Sequence, residues 1–199
     1  MSFVKTWCVL LFIFCLSSSK ILFAASDYVL DSESSSLYFV STKNTHNIEN
    51  HFFTNLSGAI SDNGEAELVI NLDSIETGIE LRNQRVRDNL FEVNSFSRAT
   101  ASLPVNLDDL AAQTIGSSIT QNISASLNLH GVTAVVNAQL IVTKVSNTKI
   151  MVQNVSPIII GAGDYNLTGG IDTLRSLAGL AVISYTVPVN FTLLFNAQQ

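Results

Sequence analysis

Three histidines, His46, His51 and His130, are the side chains best suited to hold a metal or move a proton. His46 and His51 stand five residues apart, which places them on opposite faces of an extended strand. No HxH, HExxH or neighbouring carboxylate pattern accompanies any of the three. Polar turn or surface positions account for them, and no metal site is expected. Serine and threonine are abundant, yet no GxSxG elbow is present. The carboxylate pairs Glu65 with Glu67 and Asp108 with Asp109 sit beside Gly or in polar turns, where solvated groups explain them better than a general acid and base. Gly161-Ala162-Gly163 and Gly169-Gly170 lack a following P-loop lysine and read as turn residues. Asn-x-Ser/Thr triplets begin at Asn55, Asn122, Asn154, Asn166 and Asn190, as strands rich in Asn, Ser and Thr produce without glycosylation. Arg82, Arg85 and Arg87 could grip an anionic headgroup, but Glu76, Glu80, Asp88 and Glu92 are close enough in sequence to pair with them at the surface. No catalytic residue is expected.

The elements that carry these residues begin after an N-terminal segment of different character. Residues 1–25 read as a cleavable secretory signal: Lys5 supplies the positive charge, Trp7 to Leu16 is an unbroken apolar stretch, and small residues come next at Ala24, Ala25 and Ser26. Ten apolar residues are too few to span a bilayer, which takes about 20. Export to the periplasm of a Gram-negative bacterium is expected, with residues 26–199 as the mature domain and no integral membrane segment left after processing. Processing removes Cys8, Cys15 and Trp7, so no disulfide, thiol chemistry or thiolate metal site remains. The mature segment keeps eight Lys and Arg against sixteen Asp and Glu, a net charge of −8. The acidic balance argues against nucleic acid and anionic lipid surfaces as partners, because no cluster of Lys or Arg exists to neutralise phosphates. For the whole chain, 13% charged residues and a mean hydropathy of +0.33 mean that it either touches membrane or encloses much apolar surface.

Period-two alternation dominates the mature segment. Ile183, Tyr185, Val187, Val189, Phe191, Leu193 and Phe195 share one face of a final strand, and Pro188 places part of it at an edge or bulge. The same pattern runs through Ala66–Leu72, Ala99–Leu107, Ile123–Leu129 and Val132–Val142, with His130-Gly131 as the turn of a hairpin spanning Ile119–Val145. Shorter strands are expected at Tyr28–Asp31, Leu37–Lys43, Phe52–Ser61, Lys149–Asn154 and Ile158–Gly161. Ile79–Phe91 and Gly170–Leu180 break the alternation and read as two short amphipathic helices. The fold class is therefore all-β, one antiparallel barrel or sandwich of about eight strands with two inserted helices.

Tyr28-Val-Leu-Asp31, Asn71-Leu-Asp-Ser-Ile-Glu-Thr-Gly78, the Arg82–Phe91 helix ending in Asn89-Leu-Phe-Glu92, and Leu127-Asn-Leu-His-Gly-Val-Thr133 succeed one another in the order and spacing of the YceI-like family of secreted bacterial proteins, which the chain resembles over essentially its whole mature length. It departs at Phe96-Ser-Arg-Ala-Thr100, where the family usually has Phe-Pro. The resemblance implies a lipocalin-like, elongated antiparallel β-barrel whose lumen holds a long isoprenoid or quinone-type lipid, with no other cofactor and no catalysis.

The residues support this separately. A barrel of about eight strands is just wide enough to be filled by side chains or to hold one slender ligand. Inward positions are repeatedly small, at Ala66, Ala99, Ala101, Ala125, Ala134 and Ala138. Each CH₂ taken from water gains about 0.8 kcal/mol, so burial alone could hold a long tail. Phe39, Leu72, Leu90, Phe91, Leu129, Leu177, Phe191 and Leu193 are the expected tunnel lining, with the helices over its mouth. A hydrophobic small molecule or lipid is thus the expected partner, and edge strands near Pro188 leave room for a homodimer. Two other readings stay open at this point: an enzyme acting on a buried hydrophobic substrate through His130 or the arginines, and a small outer-membrane barrel, which the missing tryptophans and the Asn196-Ala-Gln-Gln199 terminus argue against.

Overall fold

The computed structural model describes residues 26–198, so the segment read as an export signal, with its expected cleavage site, lies outside the described residues. The alternating stretches become β1 (Ser26–Leu30), β2 (Ser36–Lys43), β3 (Asn47–Phe53), β4 (Leu56–Ser61), β5 (Glu65–Asn71), β6 (Ile75–Glu76), β7 (Arg98–Pro104), β8 (Ser118–Leu129), β9 (Val132–Lys144), β10 (Lys149–Asn154), β11 (Ile158–Gly161) and β12 (Thr186–Ala197). Between them run the helices α1 (Glu80–Val86), α2 (Leu107–Ala112) and α3 (Thr168–Leu177). All strand pairings are antiparallel, in the order β1-β4-β5-β7-β8-β9-β10-β12, and β12 pairs back onto β1 through Tyr28 opposite Ala197 and Leu30 opposite Phe195. Eight strands therefore close into a barrel. Every strand of that ring has a neighbour on each side, though not along its whole length.

Several strands are bent segments rather than single runs. β1 and β2 both lie along β12, joined by a loop in which Asp31 N–H donates to the Leu194 carbonyl at 2.8 Å and Leu194 N–H donates to Ser35 Oγ at 3.0 Å. The strand expected at 52–61 is interrupted at Thr54-Asn55, where β3 ends against β6 and β4 begins against β5. There Ser74 receives Thr54 N–H at its carbonyl and Asn55 N–H at its hydroxyl. These bends carry β2, β3 and β6 beyond the closed ring as an extension at one end. Pro188 faces Ile159 of β11 just before β12 meets β2 at Val189, so it occupies a stretch with a named strand on one side only, as a residue without an N–H requires.

The long hairpin forms as expected. His130 (φ 52°) and Gly131 (φ 74°) both adopt left-handed backbone, the two-residue turn that matches the twist of paired strands. Gly131 is needed for a second reason: a Cβ there would stand 2.8 Å from the Phe96 ring.

The helices differ most from expectation. Among the described residues three are present rather than two, because Asp108 and Asp109 lie not in a turn but in the first turn of α2, whose start is capped by Asn106 Oδ1 accepting from Asp108 N–H at 3.0 Å. α1 continues into a π-helical turn, Arg87–Phe91, that ends at Glu92 in left-handed backbone (φ 48°). Gly169 and Gly170 belong to α3 and not to a turn. Gly170 packs directly against the π-helical turn, where a Cβ would come within 2.5 Å of the Asn89 carbonyl oxygen.

Candidate functional site: an apolar tunnel

Alternation decides which side chains meet inside the barrel. From β8, Ile123, Ala125, Leu127 and Leu129 point inward; from β9, Val136, Ala138, Leu140 and Val142; from β12, Val187, Val189, Phe191, Leu193 and Phe195. Ala66, Ala99 and Ala101 sit among them, and small side chains on facing strands cannot close the space between. What remains is a cavity of about 280 Å³, near the lower end of ligand-site volumes. Its lining is almost wholly hydrocarbon, with Gln121 the polar side chain that alternation turns inward on β8.

Both ends are stoppered. At one, the π-helical turn swings Leu90 and Phe91 over the opening, beside Leu72, Leu167 and Ile171. The wider π turn rotates the next side chains away from the positions an ordinary helix would give them. Phe39, Phe53 and Phe91 form a chain of rings there, with centroids 5.8 and 5.9 Å apart. At the other end Leu110 of α2, 4% exposed, closes the cavity, and Lys144 Nζ holds α2 by donating to the Ala111 carbonyl at 3.0 Å.

Of the eight lining residues expected, Phe39, Leu72, Leu90, Phe91, Leu129, Phe191 and Leu193 surround this cavity. Leu177 does not, and lies at the end of α3 with 47% of its surface exposed. Ile171 and Leu174 share the buried stripe of α3, and a residue six positions beyond Ile171 is rotated well away from it. Phe53, Ile150, Val152, Ile158 and Ile160 also line the cavity, beyond the set the sequence suggests; they lie in short strands whose few residues give a weak alternation. Leu110 escapes any reading of residues 107–112 as a polar turn, because only the helix brings it inward. Among the small residues, Ala134 packs against the core but stands outside the cavity lining.

The polar candidates lie outside the cavity. His46 is exposed in the β2–β3 turn, as a surface histidine should be, but the other two are not surface residues. His51 is 6% exposed, with Nε2 2.8 Å from Ser41 Oγ and its ring against Phe39. Burial lowers its pKa to about 4, helped by the nearby positive charge of Arg82 and Lys43 and opposed by Glu49, so the imidazole is neutral. The His130 ring is tucked against Phe96, at 4.4 Å between centroids, with Nε2 3.8 Å from Glu92 Oε2. Among the described residues no three His, Cys, Asp or Glu side chains gather to hold a metal. Arg87 pairs with Glu80, one of its neighbours in sequence, whereas Arg82 and Arg85 find their partners elsewhere. Arg82 reaches Glu49 of β3 at 2.6 Å, and Lys43 grips the same carboxylate at 2.8 Å. The hydrogen bond from Lys43 holds the Glu49 carboxyl below its ordinary range. Arg87 takes Glu80 at 2.6 Å, and Arg85 donates to the Leu177 carbonyl, tying α1 to α3. Asn83, almost fully buried, accepts from Thr77 N–H and Oγ1 at 2.8 and 2.6 Å. The arginine cluster thus braces the helical stopper onto the β2–β3 extension.

No match is found among curated proteins. Among solved structures, a polyisoprenoid binding domain from Saccharophagus degradans, implicated in plant cell wall breakdown, is 51% identical, covers 87% of this chain and 99% of its own, and superposes with a TM-score of 0.86. BcnA of Burkholderia cenocepacia shares the fold at 17% identity, covering 83% of this chain and 98% of its own, with a TM-score of 0.65. The YCEI protein of Campylobacter jejuni does so at 16% identity, over 75% and 85% of the two chains, with a TM-score of 0.52. The YceI-like domain matches residues 28–195, all but the edges of the barrel described above, and this chain belongs to the YceI-like family.

Proposed function

We propose that this protein binds one long, slender apolar molecule, an isoprenoid or quinone-type lipid, inside the barrel, and carries or stores it in the periplasm without transforming it. The observation that carries the reading is the tunnel: a cavity of about 280 Å³ walled mainly by Leu, Ile, Val, Phe and Ala, with Glu67, Gln121 and Tyr185 among them, and stoppered at both ends. Such a site recognises length and thickness, because each methylene removed from water adds about 0.8 kcal/mol wherever the walls touch it. The 51% identical relative, a polyisoprenoid binding domain, supports the same ligand class. Export rests on the apolar segment at Trp7 to Leu16.

The outer face of the β8–β9 hairpin argues against a membrane-embedded barrel. Ser124 with Asn137, Asn122 with Gln139 and Asn128 with Thr133 form a hydrogen-bonded polar ladder where a lipid-facing strand needs apolar side chains. Organic extraction of the purified protein and mass spectrometry of the extract test the proposal. The expected result is one recurrent class of prenyl lipid. A protein that is always empty and takes up no prenyl lipid when offered one would refute it.

A further inference from the structure

The barrel wall is not hydrogen-bonded all the way round. β9 pairs with β8 from Val132 to Thr143, but with β10 only from Leu140 to Lys144. β11, which continues from β10, pairs with β12 on one side and, among the described residues, with no strand on the other. Residues 132–138 of β9 therefore face β11 across a gap about 20 Å long at roughly 3.3 Å per residue. The gap is bounded at one end by the Val155 N–H bond to the Gln139 carbonyl, at 2.8 Å, and at the other by the 3₁₀ turn Ala162–Tyr165 packed against β9. A surface cleft of about 730 Å³ occupies it. Val136, Ala138, Ile158 and Ile160 line both the cleft and the tunnel.

The geometry points to this gap as a lateral portal through which the ligand enters and leaves the tunnel. The inference rests on the tunnel-binding reading and adds the route and the kind of molecule that can use it. Opening either end would pull Phe91 or Leu110 out of packed surroundings; β8 also lacks a β7 partner over Ser118–Ala125, but that stretch lies at the end that α2 and Leu110 close, and parting the strands that do pair would break ladder hydrogen bonds. At the gap no ladder bond has to break; apolar side chains need only move aside. Outside it, Val135 and Ile159 are 69% and 63% exposed on the two flanking strands, so a hydrocarbon chain meets apolar surface on its way through. Asp164 is the charged residue among those lining the cleft, which favours neutral chains over carboxylates or phosphates.

The test is a reversible staple. Val135→Cys and Ile159→Cys are introduced into the full chain together with Cys8→Ser and Cys15→Ser, and the new thiols are bridged by a bis-methanethiosulfonate linker. Ser124→Cys with Asn137→Cys, outward-facing partners in the intact β8–β9 ladder, carries the control staple. The probe is all-trans-retinol, a neutral isoprenoid alcohol whose fluorescence rises in an apolar site. The portal staple is expected to slow uptake and release by about tenfold or more while the Kd stays within about threefold, because a route changes rates and not the bound state. Dithiothreitol restores the rates, and the control staple leaves them unchanged. Unaltered rates with the portal staple in place, or equal slowing by the control, would overturn the portal. An unstapled protein that takes up neither retinol nor longer prenols overturns the tunnel reading itself, and the portal with it.

Discussion

Replacing Gly169 and Gly170 singly by alanine separates two forces that act on neighbouring residues of one helix. Alanine in a helix is favoured over glycine by roughly 0.5–1 kcal/mol, because the unfolded chain has less backbone freedom to lose. At Gly169 an added Cβ meets no atom within 4 Å, so that gain should appear nearly whole. At Gly170 the same carbon would lie 2.5 Å from the Asn89 carbonyl oxygen and 2.8 Å from Leu90 Cα. Both are backbone atoms that no rotamer change can move, so α3 must shift away from the π-helical turn. Overpacking of this kind costs about 1–3 kcal/mol. With contacts this short the upper end applies, which leaves a net loss of about 2 kcal/mol once the helix gain is subtracted. Urea unfolding monitored by far-ultraviolet circular dichroism reads the difference. With a slope of about 2 kcal/mol per molar, the midpoint should fall by about 1 M for Gly170→Ala and rise by a few tenths for Gly169→Ala. If Gly170→Ala unfolds at the same urea concentration as Gly169→Ala, or a higher one, the close approach of α3 to Asn89-Leu90 does not set the stability of the stopper.

The same packing makes the protein sensitive to acid. Because burial holds His51 neutral with a pKa of about 4, against 6.5 in the unfolded chain, the unfolded state binds the proton first. Stability should be complete above pH 6.5 and decline by about 3 kcal/mol as the pH falls to about 4; Glu49, whose ordinary value is 4.5, adds its own loss only below that. Urea midpoints at pH 7 and 4.5 should differ less in His51→Phe than in the parent, and an unchanged difference would mean that another group carries the effect. Inside the tunnel, Ala125→Phe places a ring where Ala125 now leaves space. Displacing about five ligand carbons at roughly 0.8 kcal/mol each should weaken retinol binding about a thousandfold with the fold intact. Titration of retinol fluorescence measures it, and an unchanged Kd would place the ligand elsewhere.

Much of the tunnel is legible in the sequence because strand alternation is local. In a strand each side chain's face is set by odd or even position, so Phe191 and Leu193, or Ala99 and Ala101, can be placed inside without knowing which strands are neighbours. Helical residues lack that guarantee. Leu177 has the apolar character of a lining residue, but the face of α3 that turns inward depends on Gly170 meeting Asn89, a contact between segments some 80 residues apart in the chain. His51 looks like a surface histidine for a related reason: burial comes from Phe39 and Ser41 on the adjacent strand, and pairing partners are not written in a residue's own neighbourhood. Arg82 likewise passes over the acidic residues beside it for Glu49, 33 positions earlier.

The amino-acid order alone carries the barrel's inner face, its small residues and its lack of catalytic motifs, since each depends on residue type and on a period of two. Which helices stopper the ends, which histidines are buried and where the wall stays open come only from the folded chain. Those features depend on how far each strand pair runs before its partner changes. Residues 132–138 of β9 have no strand beside them on the β10 side, and nothing in their own alternating sequence distinguishes them from the paired stretch at Leu140–Lys144.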